Sequence, residues 1–170
     1  MIYTDEYRSP LGMMIMESDG ETLTGLRFED AEEESREPVT GPADETTREV
    51  FVQTSLWLDI YFRGQDPDFL PPMSINATDF RRRVWEILLS IPYGRTMTYG
   101  QIARKIASER GIDRMSAQAV GNAVGHNPVA LIIPCHRVIG SDGSLTGYAG
   151  GIDRKRSLLE MEQSNKMRLL

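Results

Sequence analysis

Asn127-Pro128-Val129-Ala130-Leu131-Ile132-Ile133-Pro134-Cys135-His136-Arg137-Val138-Ile139-Gly140 is the stretch on which the reading of this chain turns. Leu131-Ile132-Ile133 is a short apolar run and predicts a buried strand. Pro134 ends it and delivers Cys135 at the edge of an element. His136 and Arg137 follow directly and make the local field positive. A thiolate is the competent nucleophile, and a free cysteine is only a few per cent ionised near neutral pH unless its neighbours lower its pKa. The cationic surroundings are expected to do that. Adjacent side chains diverge in an extended segment, so His136 is expected to reach the thiol through a bridging water. A lone cysteine also fits a buried small hydrophobe, because free Cys is among the most buried residue types.

Cys135 is the single cysteine of 170 residues. That excludes an internal disulfide framework and a Cys-rich zinc site, so no metal is expected. The composition, 40% apolar and 26% charged, is that of an ordinary globular protein. The first residues carry neither the basic nor the apolar region of a secretory signal. No apolar run approaches the roughly 18 residues of a spanning helix. A cytoplasmic protein without membrane contact is expected.

The net charge of −6 is unevenly spread. Residues 1–75 hold five Arg against seventeen Asp or Glu, a balance of −12, and residues 76–170 hold fourteen Lys or Arg against eight acidic residues, a balance of +6. A basic half behind an acidic one is a hint of polyanion binding, and equally fits two solvated faces of opposite sign. The change of sign falls in the Pro-rich stretch from Asp66 to Ala77, which is taken as the lobe boundary, giving lobes 1–75 and 76–170.

In the first lobe, Ile2 to Phe28 read as strands, with Ser18-Asp19-Gly20-Glu21 as a turn and a hairpin as the simple interpretation. Glu29 to Asp44 is acidic, carries two prolines and reads as a loop. Thr46 or Thr47 caps a helix running to about Arg63, which Gly64 ends. In the second lobe, Phe80, Val84, Ile87, Leu88 and Ile91 fall at helical spacing behind Thr78-Asp79. Two short helices, about Tyr99 to Ala107 and about Ser116 to Val124, resemble a helix-turn-helix with a long connection. Ala117, Ala119, Gly121 and Ala123 form a small-residue face that suits either ordinary packing or close entry into a groove. A last helix runs from Ile152 to about Glu162, and the tail frays. The fold class is α/β: a small antiparallel sheet with a flanking helix, then a mostly helical lobe with the helix-turn-helix and the cysteine loop.

Nucleophile and base need a third group to hold the imidazole. Glu162 shares a helical face with Leu158 and Leu159, and a glutamate on a buried stripe needs a partner. His136 would serve. Spacing alone equally allows Glu162 to sit in water near a helix end.

Pro134-Cys135-His136-Arg137-Val138-Ile139 resembles the active-site signature of the O6-alkylguanine-DNA alkyltransferases, the methylated-DNA–protein-cysteine methyltransferases. The surroundings are similar too. Tyr93 to Ala103 and Ala119 to Pro128 resemble the family's DNA-binding segment, and Gly147-Tyr148-Ala149-Gly150-Gly151 resembles its active-site loop. The match spans about Phe80 to Glu162.

The resemblance implies a single-turnover transfer in which Cys135 takes the alkyl group from O6-alkylguanine, and from O4-alkylthymine, in double-stranded DNA. His136 would take the thiol proton through water and Glu162 would orient it. Tyr99 would hydrogen-bond and protonate the departing base, and Asn127 would fix the turn carrying the cysteine. Backbone groups at Cys135, Val138 and Ala149, beside Tyr148, would read the flipped base. The second helix of the pair, with Ala117, Ala119 and Gly121, would enter the minor groove. Gln118 stands where many relatives insert an arginine into the gap left by the flipped base. Arg114 and Arg137, with Arg104 and Lys105, are candidates for phosphate contacts. His126 reads as a capping or turn residue. No cofactor and a monomer are expected. Two rivals remain: a non-catalytic lesion binder or regulator on the same fold, and a Cys-His hydrolase with true turnover, which would leave the helix-turn-helix unexplained.

Overall fold

The computed structural model describes residues 2–31 and 44–168, without the side chains of 166–168. The chain divides into two compact units, Met1–Asn76 and Ala77–Leu170.

The first unit is a three-stranded antiparallel meander, β1 (Tyr3–Ser9), β2 (Gly12–Ser18) and β3 (Leu23–Phe28), covered by helix α1 (Glu45–Phe62). The expected hairpin is therefore one strand short. A two-residue turn at Pro10-Leu11 separates β1 from β2, with Ser9 paired to Gly12 and Tyr3 to Ser18. Alternation along β2 and β3 sends Met14, Met16, Leu26 and Phe28 inward, and Leu23, beyond the register shift at Glu17/Ser18, is buried as well, each at most 1% exposed. They meet the apolar stripe of α1, where Val50, Leu58 and Tyr61 are buried. Asp44 rather than either threonine caps α1, accepting from Thr47 N at 2.8 Å. The Thr47 hydroxyl turns inward to Gly20 O. The expected acidic loop lies, from residue 32 to 43, outside the described residues.

The second unit holds α2 (Asp79–Leu89), α3 (Tyr99–Arg110), α4 (Ala117–Gly125) and α5 (Ile152–Arg168), with the two-residue strands β4 (Met97–Thr98) and β5 (Val138–Ile139). Thr78 caps α2 as its position suggests. Thr98 and Gln101 close a reciprocal capping box on α3, and Gly111, in the left-handed region at φ 65°, ends that helix. Ser116 caps α4. Trp85 of α2 donates to Ala123 O at 3.1 Å and pins α4 to α2. Helix α5 continues six residues past the expected end. None of the described helices is long and apolar enough to cross a membrane.

Two readings of local structure are overturned. Leu131-Ile132-Ile133 is buried as expected but is a turn, with Ile132 N bonded to Ala130 O and Ile133 N to Val129 O. Leu131 sits at φ 67°, a costly conformation for a residue with a Cβ. A short apolar run bounded by prolines cannot distinguish a strand from a buried turn. The real ladder lies just after the cysteine, where β5 pairs parallel with β4, Met97 with Val138. Nor do the small residues of α4 share one face, because positions two apart on a helix point nearly opposite ways. Ala117 and Gln118 are exposed, Ala119 and Gly121 half-buried, and Ala123 is 1% exposed against α2.

Candidate active site

The residues singled out around Cys135 converge from four segments. Cys135, His136 and Arg137 form one 3-10 turn rather than the end of a strand. The turn is held from below by Asn127, whose Nδ2 donates to Ile133 O at 2.8 Å while its Oδ1 accepts from Val129 N at 3.0 Å. One amide side chain thus closes the strained loop that precedes the cysteine. The β4–β5 ladder places Thr98, and with it Tyr99 at the start of α3, beside that turn. Helix α5 supplies Lys155 and Glu162, seven residues apart and on one face.

His136 is fully buried and Glu162 is 1% exposed. Their Nε2 and Oε2 lie 2.5 Å apart. The other carboxylate oxygen accepts from Arg137 Nε at 2.8 Å and from Gly94 N at 3.1 Å. Glu162 is therefore the buried, partnered glutamate and not a solvated one.

Arg137 is corrected in turn. Its guanidinium is 7% exposed, donates to Ile91 O at 2.7 Å as well as to Glu162, and lies 5.6 Å over the Tyr93 ring. A cation committed to these partners is not a phosphate contact. Arg114, Arg104 and Lys105 are exposed, as a phosphate contact requires. His126 Nδ1 lies 2.7 Å from Asn122 O at the C-cap of α4, a local capping role.

The electrostatics also depart from expectation. Cys135 is 8% exposed, and burial pushes its thiol up despite the Asn127 hydrogen bond, the Lys155 charge and the backbone N–H groups that favour the thiolate. Burial likewise holds His136 below the usual imidazole range, outweighing Glu162, with Arg137 and Lys155 acting in the same direction as burial. Both directions favour a neutral thiol beside a neutral imidazole. The Lys155 charge, the Asn127 hydrogen bond and the backbone N–H groups reduce the cost of ionising Cys135 without reversing it.

Lys155 escaped the sequence reading. It is 1% exposed and its Nζ donates to Val138 O at 2.5 Å and to Thr146 O at 3.0 Å. Its signal was the one that found Glu162: Lys155, Leu158 and Glu162 fall on a single buried stripe. Tyr99 Oη donates to the same Thr146 carbonyl at 3.1 Å. The loop from Thr146 to Gly150 is thus drawn onto the cysteine by a lysine and a tyrosine. Within it, Tyr148 buries its hydroxyl near Cys135 and Ala149 is exposed. Val138 N donates to Cys135 O and Val138 O accepts from Lys155, so both backbone groups have partners within the protein.

A buried nucleophile, a base whose tautomer is set by a carboxylate, and a phenol on a neighbouring helix make an apparatus for attack by sulfur with proton transfer at both ends.

Residues 79–164 match the family described as 6-O-methylguanine DNA methyltransferase, DNA binding domain, and residues 2–75 match the ribonuclease-like domain of the same family. The chain is 44% identical over 165 residues to the methylated-DNA–protein-cysteine methyltransferase of Mycobacterium tuberculosis, covering 96% of this chain and 94% of the relative. A crystal structure of the M. tuberculosis O6-methylguanine methyltransferase superposes with a TM-score of 0.77 at 40% identity, over 97% of this chain and 94% of that one. A second crystal structure of the M. tuberculosis protein, in complex with DNA, gives a TM-score of 0.75 at 40% identity, over 96% and 93% of the two chains. The chain belongs to the 6-O-methylguanine DNA methyltransferase family.

Proposed function

We propose that this protein repairs DNA by direct reversal, moving the alkyl group of O6-alkylguanine irreversibly onto its own Cys135, once per chain. The observation that carries the reading is the buried Cys135 turn with His136 held 2.5 Å from Glu162, inside the unit that matches the family's DNA-binding domain. O4-alkylthymine is the expected second substrate.

The reaction balances without a cofactor. The Cys135 proton passes to His136, by way of a water, and Sγ attacks the alkyl carbon. A C–S bond forms as the C–O6 bond breaks, and its electron pair stays with the guanine. Tyr99 donates a proton to the departing base, which requires its hydroxyl to leave Thr146 O. The proton on His136 restores the balance through solvent. Asn127 keeps the cysteine turn in place, and Val138, Tyr148 and Ala149 border the base.

The unit after residue 76 is the DNA-binding and acceptor domain. Binding is to the minor groove of duplex DNA carrying the alkylated guanine, with Ala117 and Gly121, four residues apart on one face of α4, toward the groove, Gln118 filling the gap of the flipped nucleotide and Arg114 on a phosphate. The protein acts as a monomer in the cytoplasm, a reducing compartment that keeps a lone thiol available.

Intact mass after incubation with duplex DNA containing O6-methylguanine tests the reading. One added methylene per chain, mapped to Cys135 and absent in Cys135→Ala that still binds the duplex, is the expected result. Bound DNA with no gain in mass would point instead to a lesion binder, and turnover beyond one per chain to a hydrolase.

A further inference from the structure

We propose that Arg137 is a positioning residue whose grip on Glu162 keeps His136 neutral, with the ring proton on Nε2 and the lone pair on Nδ1, ready to accept the thiol proton. The inference rests on the reading of His136 as the base, and adds what sets the base's protonation state.

The geometry divides the Glu162 carboxylate between two cations-in-waiting. Oε2 faces His136 Nε2, and Oε1 faces Arg137 Nε and Gly94 N. Arg137 is itself immobilised by Ile91 O and by the face of Tyr93. Burial disfavours the imidazolium and the carboxylate pulls the other way, because an opposite charge within a few ångströms raises a histidine's proton affinity by tenfold or more. An imidazolium cannot take the thiol proton. With the guanidinium on Oε1, much of that negative charge is already balanced, and the hydrogen bond through Oε2 orients the ring without protonating it.

The surroundings are consistent with this division. The groups facing His136 are Glu162 and Lys155 from α5 and Arg137 and Cys135 of its own turn, with Tyr148 beyond the thiol. Of these only Glu162 draws a proton toward the ring, and the two cations and burial oppose it. Lys155 is spent on two backbone carbonyls, Val138 O of β5 and Thr146 O of the loop, so Arg137 is the cation that touches the carboxylate.

The chain contains two histidines, which makes the test direct. His136 and the exposed His126 can be followed separately by their ring nitrogens in a pH titration monitored by NMR, with His126 as the internal reference. In Arg137→Met, the midpoint of His136 should move upward by about one pH unit or more, roughly tenfold in proton affinity, while His126 stays in place. Arg137→Lys, which keeps the charge, should move it less. Arg137→Met leaves Glu162 uncompensated and can fail to fold. The paired variant Arg137→Met with Glu162→Gln removes both charges together, and there His136 should remain neutral as in the unaltered protein. An unmoved midpoint in folded Arg137→Met, or an upward shift in the paired variant, overturns the proposal. Failure of alkyl transfer with the titrations as expected would instead overturn the functional reading.

Discussion

Replacing Glu162 by Gln should cost the second unit about 3 kcal/mol and the reaction at least a hundredfold in rate. The substitution preserves shape and removes one charge from a site where Glu162 is 1% exposed and Arg137 is 7% exposed. Breaking a buried pair by removing one partner costs about 3–5 kcal/mol, because the remaining charge stays desolvated. The low end applies here, since Arg137 keeps Ile91 O and the Tyr93 ring. Folded domains have only about 5–15 kcal/mol to lose. The two tryptophans make the measurement clean. Trp57 belongs to the first unit and Trp85 to the second, so fluorescence in a Trp57→Phe background reports the second unit alone. With a urea dependence of about 1.5 kcal/mol per M, the midpoint should fall by about 2 M. The rate loss has a separate origin. The Gln amide can donate to His136 Nε2, which moves the ring proton to Nδ1 and removes the acceptor for the thiol proton. General-base catalysis is worth about 10²–10⁴-fold, and single-turnover methyl transfer from labelled DNA reads it. A midpoint shift under about 0.5 M, with the rate intact, would refute the claim that Glu162 holds both Arg137 and His136.

Three further outcomes follow from the same geometry. Burial lowers the proton affinity of His136, so the unfolded chain binds a proton there before the folded one; stability should be full above about pH 6.5 and fall below it, by up to about 1.4 kcal/mol per pH unit. Urea midpoints that stay flat between pH 7.5 and 5.5 would contradict this. Lys155→Met should release Thr146 O and Val138 O and speed amide hydrogen exchange in Gly147 to Gly150 about tenfold; unchanged exchange would mean that something else holds the loop. Gln118→Arg adds a cation at an exposed position of α4 and should tighten duplex binding with a steeper salt dependence. Unaltered affinity across a salt titration would count against placing Gln118 in the DNA.

What could be read in the sequence was local chemistry, and what could not was long-range pairing. Cys135 and His136 stood out because nucleophile and base are adjacent in the chain, whereas the role of Asn127 came only with the family resemblance. Thr78 and Gly64 mark a helix start and a helix end through their own side chain or its absence, which is local too. β1 was blurred because Thr4, Asp5 and Glu6 are all exposed on an edge strand, leaving no alternation to detect. Arg137 was placed among the candidate phosphate contacts because its charge is visible in the sequence and its burial is not. Its buried partner, Glu162, lies 25 positions away. Lys155 was hidden for the same reason, since its acceptors are backbone carbonyls that every sequence has. The raised thiol shows a further limit: neighbouring charges are visible in sequence, whereas burial, the larger influence, is not.

The placement of these buried charges explains both the reactivity and its end. A network of Glu162, Arg137 and Lys155 inside the second unit is costly in desolvation, and nothing in the packing requires it, since apolar side chains of similar volume would fill the space. Its effect falls on one step, the passage of a proton from Cys135 to His136 while a thiolate forms in a place that otherwise disfavours charge. Once the alkyl group is on sulfur, that apparatus has no purchase. A thioether carries no proton for His136 to take, and its alkyl carbon lacks the guanine oxygen that, in the proposed reaction, leaves with a proton from Tyr99. Water attack on that carbon would have to expel the Cys135 thiolate into the same buried site that holds its proton affinity high. The features that make Cys135 a directed nucleophile make it a poor leaving group. On the proposed mechanism, single turnover follows from the site's own electrostatics.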